Sequence, residues 1–229
     1  MNLIFVSSSL PSEMRVRLEK LGAVYALPPH PSLPRQIASH PDTLFASVGG
    51  ELFTYADYSG GISLLLSLGK ELSVVSCRAG NVYPLDAQIN CFEASGILFC
   101  RKKSTANELL AKAKSVADVN QGYTHCSSAV FGDSMITADR GIYSKARALG
   151  IDALLISPGN ISLSGYGCGF IGGACGQVGN VVVFFGDPRL HPDGEKIVDF
   201  VTSKCFDVVP LGDGPLADHG SLLFCETEK

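Results

Sequence analysis

One pattern recurs five times along this chain of 229 residues. A polar residue opens a short apolar strand, a second apolar strand follows, and then come a helix and another strand. The pattern begins at Asp42 (DTLFASVGGELFTY), Asp86 (DAQINCFEASGILFC) and His125 (HCSSAVFGDSMITAD), and again at Cys175 (CGQVGNVVVFFGD) and Asp218 (DHGSLLFCETE). Repetition at roughly 40–50 residues is the signature of radial or stacked repeats, in which each unit buries its apolar face only against its neighbours. Strands alternating with helices make the fold class α/β. The fifth unit runs out at Lys229 with only a strand or two. The chain opens, however, with strand, helix and strand: LIFVSS from Leu3, a helix after Pro11, and AVYAL from Ala23. Joining the two ends removes exposed sheet edges. The expectation is a single domain over residues 1–229, a closed five-unit α/β propeller whose last unit is completed by the N-terminal strand–helix–strand.

The helices that fit the gaps run from Gly61 to Leu68, Ser104 to Val116, Ile142 to Leu149 and Asp193 to Ser203. The second carries Leu109, Leu110, Ala113, Val116 and Ala117 on one face and lysines on the other. Pro11 suits a first turn, and Gly22 a helix stop. Four prolines between Pro28 and Pro34 forbid a helix or a central strand there.

Hydrophobic residues make up 46% of the chain and charged residues 17%, which excludes a disordered protein. The net charge is −4, and the triplet Arg101, Lys102, Lys103 is too small a basic footprint for nucleic acid. The apolar run near Met1 is too short for a signal peptide, and nothing approaches a membrane span. A cytoplasmic location is expected. The eight cysteines (77, 91, 100, 126, 168, 175, 205 and 225) form no CxxC pair and read as reduced, mostly buried thiols. No ligand pair has the short spacing of structural zinc. The glycines from Gly165 to Gly179 precede a strand rather than a helix, which disfavours a nucleotide loop and favours close backbone approach. No cofactor or metal is expected.

HPDTLF from His40, GYTHCSSAVFGDSMITADRGI from Gly122 and GIDALLISPGNISL from Gly150 carry a family resemblance. So do YGCGFIGGACG from Tyr166, FFGDPRLHPD from Phe184 and DGPLADHGS from Asp213. Together they resemble the uncharacterised DUF6873 family of the guanidino-group-modifying enzyme fold, the penteins. The resemblance implies a relation to arginine and agmatine deiminases, dimethylargininases and amidinotransferases, and to non-enzymatic ribosome-binding initiation factors. Those enzymes use a cysteine of the last unit, a histidine of the middle unit and acidic residues that grip a guanidinium. The Gly-x-His motif aligns here with Gly122-Tyr123-Thr124, so Thr124 takes the histidine's place and His125 follows it. Cys225 falls one step later after Gly220 than the terminal cysteine should. Both departures imply no deiminase turnover on free arginine or agmatine.

The residues themselves offer Cys126 as the candidate nucleophile, set near the start of an inner strand with His125 pointing to the opposite face. Asp42, Asp86, Asn90 and Asp218 open first strands in their units. Converging on the axis, they would bind a small cationic, guanidino-like molecule. Each also has a plainer reading: a buried thiol for Cys126 and turn formation for the Asp and Asn residues. Asp139 and Asp187 read as turn and helix-entry residues, Asp193 as a helix cap, and His40 with His191 as possible metal ligands. Two functions stand: binding, with or without modification, of a guanidino-like compound, or a non-catalytic binding or structural module. The oligomeric state is open.

Overall fold

The computed structural model describes residues 2–226. The chain opens with β1 (Leu3–Ser7), α1 (Ser12–Leu18) and β2 (Ala23–Leu27). The first repeat follows as α2 (Pro41–Leu44), β3 (Phe45–Val48), β4 (Glu51–Tyr55), α3 (Ser59–Ser67) and β5 (Ser73–Val75). The second is β6 (Phe92–Ala94), β7 (Ile97–Cys100), α4 (Asn107–Lys112) and β8 (Val116–Asp118). The third is β9 (Ser128–Phe131), β10 (Ser134–Thr137), α5 (Arg140–Ala148) and β11 (Asp152–Leu155). The fourth is β12 (Cys175–Val178), β13 (Val181–Phe184), α6 (Gly194–Ser203) and β14 (Asp207–Pro210), and β15 (Leu223–Cys225) comes last.

These strands make five separate three-stranded sheets, and no sheet closes on itself among the described residues. In every sheet the first strand runs antiparallel to the second, and the second runs parallel to the third. The fifth sheet obeys the same rule with its parts exchanged in sequence. β15 pairs antiparallel with β1 (Leu3↔Cys225), and β1 pairs parallel with β2 (Leu3↔Ala23). The N-terminal segment therefore does complete the last unit, as its missing helix and third strand require.

Packing explains why the units hold together. Strand side chains alternate between faces, and β1 uses both: Leu3 and Phe5 enter one cluster with Leu27, Leu44 and Phe53, while Ile4 and Val6 enter another with Leu18, Val183 and Phe185. The sheets of the second and third repeats share Phe92, Phe99, Met135 and Ile142. Those of the third and fourth share Phe131, Ile136, Val182 and Phe184. Each core thus lies between neighbouring units rather than inside one. First strands lie side by side, β3 against β6, β9 against β12 and β12 against β15.

Two local expectations need correction, and a third holds. The second helix is shorter than expected, because Ala113 is already extended at φ −68°, ψ 133°. Val116 and Ala117 leave the helical face to form β8 and pair with Leu98 and Phe99 of β7, so sheet pairing overrides helical propensity there. α1 ends at Leu18, short of Gly22. The proline-rich stretch has neither helix nor strand, yet it packs firmly: His30 is buried, stacks on Tyr58 at 5.4 Å and approaches Asp57 at 3.3 Å. No described helix is long and apolar enough to cross a membrane.

Candidate functional site

A tight turn precedes the first strand of each unit, and these five turns meet. Pro41–Leu44 is a single helical turn, and Asp42 N–H donates to the Gly220 carbonyl of the last unit at 3.0 Å. The third unit turns at Tyr123–Ser127, closed by Ser127 N–H to the Tyr123 carbonyl at 3.0 Å. The Cys126 carbonyl accepts from Gly172 at 2.8 Å and Gly173 at 3.2 Å in the fourth unit. The Gly173 carbonyl in turn accepts from His219 at 2.9 Å and Ser221 at 3.0 Å in the fifth. Asn90 supplies the second unit's link through its side chain. Its Nδ2 donates to the Asp42 carbonyl at 2.8 Å, and its Oδ1 accepts from the His125 and Cys126 amides at 2.8 and 3.1 Å. Hydrogen bonds therefore pass from unit to unit and return to the first.

His125 and Cys126 consequently lie in a turn, not at the start of a strand; β9 begins only at Ser128. The period-two rule that set their side chains on opposite faces does not apply to a turn. Thr124 is buried and spends its hydroxyl on the Gln121 carbonyl at 2.7 Å.

The turns bury two carboxyl groups side by side. Asp42 is 1% exposed and Asp218 5%. Asp218 is well held: Oδ2 accepts from Phe170 N–H at 2.9 Å and Oδ1 from Gly220 N–H at 3.0 Å, with His40 Nδ1 at 3.8 Å from Oδ1. Neither Asp42 oxygen has a hydrogen-bond partner of sound geometry, although the Cys126 thiol and the Asp42 and Thr43 backbone amides lie beside them and draw its carboxyl down. Burial, and then the charge of Asp218, pushes Asp42 up to about 8. Burial raises Asp218 to about 6 against the pull of its two backbone donors. Cys126 is driven well above the ordinary thiol range by burial and by both carboxylates, and Asn90 Nδ2 at 2.9 Å from Sγ opposes them. Burial brings His40 down to about 3, helped by His219, and His125 down to about 4. With no ligand, the site is thus a protonated thiol beside two carboxyls that cannot both ionise cheaply at neutral pH.

Glycine makes the room. A Cβ on Gly173 would fall 1.9 Å from Asp218 Oδ1, and one on Gly220 2.2 Å from His40 Cβ. Gly173→Ala should therefore destabilise the protein by about 1–3 kcal/mol. Gly167→Ala, with nothing within 4 Å of the added methyl, should change stability by less than about 0.5 kcal/mol. Urea unfolding of the pair checks this, and equal midpoints would show that the backbone does not wedge Asp218 in place.

Asp86 stands apart from the pair. It is buried, and its Oδ2 accepts from the Tyr123 hydroxyl at 2.5 Å, leaving Oδ1 without a partner. Tyr123 sits between Tyr83 and Phe170, with ring centroids 5.7 and 6.3 Å away, and its phenol is close enough to Cys126 to feel that group's charge. Cys175 belongs to β12 and donates to the Ile171 carbonyl, and Cys225 pairs with Leu3 in β15. His191 accepts the Asp193 N–H through Nδ1 and does not join His40. Among the described residues no three metal-ligating side chains cluster. Asp139 and Asp187 accept from helix-entry amides at Ile142 and Arg189. Asp193 precedes α6 but spends its carboxylate on Ser157 N–H and Lys196.

A separate cavity of about 470 Å³ lies along the first strands, with Phe45, Ser47, Glu93, His125, Ser128 and Gln177 in its walls. Asp42, Cys126 and Asp218 are not among its lining residues. The sequence offers no direct cue to the meeting of His40, Asp42, Asp218 and His219, nor to the Tyr123–Asp86 bond. The paired glycines of GGACG are its nearest signal.

Solved structures share this architecture. A dimethylarginine dimethylaminohydrolase, as an adduct with S-methyl-L-thiocitrulline, matches with a TM-score of 0.58 at 10% identity, covering 97% of this chain and 99% of that one. DDAH from Pseudomonas aeruginosa complexed with citrulline matches at 0.55 and 10% identity, covering 92% and 91%. C. jejuni agmatine deiminase matches at 0.53 and 10% identity, covering 99% and 93%. At such identity the likeness shows the fold alone: five small α/β sheets of the pentein kind. The model of a family of unknown function, DUF6873, matches residues 5–223, and the chain belongs to that family. No curated protein matches the sequence.

Proposed function

We propose that the chain binds a small cationic, guanidino-like compound at the Asp42–Asp218 pair. The observation that carries this reading is the pair itself. Two carboxyls are buried together, and neither Asp42 oxygen has a well-formed hydrogen bond. A buried carboxylate without a partner is costly, and a planar cation with several N–H donors is the group that satisfies two at once. Likeness of fold to proteins named for dimethylarginine and agmatine supports the same ligand class. The hydrogen-bond circuit through the five turns supports a closed propeller over one domain, with the pair at one end of its axis. The free cysteines suit the cytoplasm.

Entry runs past Tyr123, the side chain between Asp86 and Cys126. A ligand cation would take the Asp86 carboxylate from the phenol before reaching the deeper pair, so Asp86 serves as an outer ligand. Once the cation sits between Asp42 and Asp218, its charge offsets theirs and favours the Cys126 thiolate, the candidate nucleophile for hydrolysis or transfer. A second reading has its own support: the ligand-free thiol is sealed and protonated, as in a module that binds without chemistry.

Calorimetric titration with agmatine, arginine and neutral citrulline tests the proposal. The two cations should bind and citrulline should not. Asp218→Asn should weaken cation binding at least about tenfold, the loss expected for one charge-assisted contact. Neither cation should release ammonia, since Thr124 stands where the deiminase histidine would be. Equal affinity for citrulline and agmatine would contradict a carboxylate-lined site, and ammonia release that needs Cys126 would establish catalysis.

A further inference from the structure

Asn90 is buried and its hydrogen-bonding capacity is fully spent. The side-chain oxygen accepts the His125 and Cys126 amides, and the nitrogen donates to the Asp42 carbonyl and to Cys126 Sγ. The amide has only one workable orientation, because a flip would set its N–H groups against two backbone N–H groups. Nothing remains with which to grip a ligand. Among the described residues the second unit contributes no backbone link of its own between Asp42 and Cys126, so this one side chain both closes the circuit and holds the sulfur.

We propose that Asn90 is the positioning residue for the Cys126 sulfur, fixing its turn and donating an N–H to it, and is not a ligand-binding group. The inference rests on reading Cys126 as the reactive group of the site. The titratable groups facing the sulfur are the Asp42 and Asp218 carboxyls and the Tyr123 phenol. All three disfavour a thiolate when charged. The Asn90 amide is the neutral donor that favours one, and a thiolate accepts such an N–H more strongly than a thiol does. The contact at 2.9 Å therefore strengthens as the proton leaves.

Asn90→Asp provides the test. It keeps an oxygen for the two backbone amides, removes the donor on sulfur and adds a carboxyl beside it. Asn90→Leu removes the donor without adding charge, and the Cys126 midpoint must rise in both variants for the donor, rather than the charge, to be the cause. Alkylation of Cys126 by iodoacetamide at pH 9, followed peptide by peptide, should slow at least about tenfold, with the pH midpoint about one unit higher. Exposed Cys168 is the internal control and should react as before. An unchanged Cys126 midpoint in a variant that still melts cooperatively overturns the proposal. If the variant does not fold, the parent protein decides. The Asn90 side-chain amide resonance should move with the midpoint of Cys126 alkylation, and a flat resonance through that range refutes the role. Neither readout uses a guanidino compound, so failure to bind one leaves this result standing, and failure here leaves cation binding at Asp42 intact.

Discussion

Asp42→Asn should raise the melting temperature at pH 8 by about 6–12 °C, equivalent to on the order of 3 kcal/mol, and the gain should shrink as pH falls towards 4. The direction follows from the raised carboxyl. Folded Asp42 keeps its proton up to about pH 8, whereas an unfolded Asp releases it near the ordinary carboxyl value of 3.8. The folded state therefore loses stability from this group steadily between those two values, and below them the group is protonated in both states and contributes fully. An amide never ionises, so the variant escapes the loss. It also removes the charge that Asp42 gains beside Cys126 as it ionises through about pH 8, and alkylation of that thiol above this pH should accelerate, opposite to the effect expected of Asn90→Asp. Melting curves at pH 5 and 8 measure the first effect. A variant equal to or less stable than the parent at pH 8 would mean that Asp42 already has a cationic or hydrogen-bonding partner in the folded protein.

The second large effect concerns the ends of the chain. Deleting residues 1–10 removes β1, the middle strand of the fifth sheet, which pairs with β15 on one side and β2 on the other. Leu3, Ile4, Phe5 and Val6 are all buried, and each is worth about 1.5–3 kcal/mol of burial. Their sum is comparable to the whole stability of a domain, about 5–15 kcal/mol. The truncated protein should show no cooperative melting transition by circular dichroism. A transition within about 5 °C of the parent's would show that β15 and β2 hold without their central partner, against the pairing described above.

The repeat was legible because each unit must alternate strands and helix with apolar first strands, and that patterning survives in the residues themselves. The permuted fifth unit was legible for the same reason: Asp218 to Lys229 is too short to be a unit alone. Helix lengths were less so. Val116 and Ala117 fit the apolar face of a helix and a strand equally well, and only their pairing with Leu98 and Phe99 decides between them. Of the site, Asp42 and Asp218 could be named from their places at unit openings, but their contact is made by turns that carry no periodic signal. Cys126 looked like a strand residue because the apolar run after it begins so soon. Asn90 could be named only from its place near a unit opening; its four hydrogen bonds reach two other units, a long-range arrangement that local spacing does not encode. Asp86 shares the polar position of the pair yet faces Tyr123, since its turn sets it further from β6 than Asp42 is from β3.

The proposed cation site at Asp42 and Asp218 holds a proton while empty. Carbon-13 titration of the two carboxyl groups, with and without saturating agmatine, tests it most directly. Without ligand, one carboxyl should titrate near pH 8, the other near pH 6. With agmatine bound, both should be ionised throughout that range. Two carboxyls that titrate near pH 4 in the free protein, or midpoints that agmatine does not move, would contradict the account.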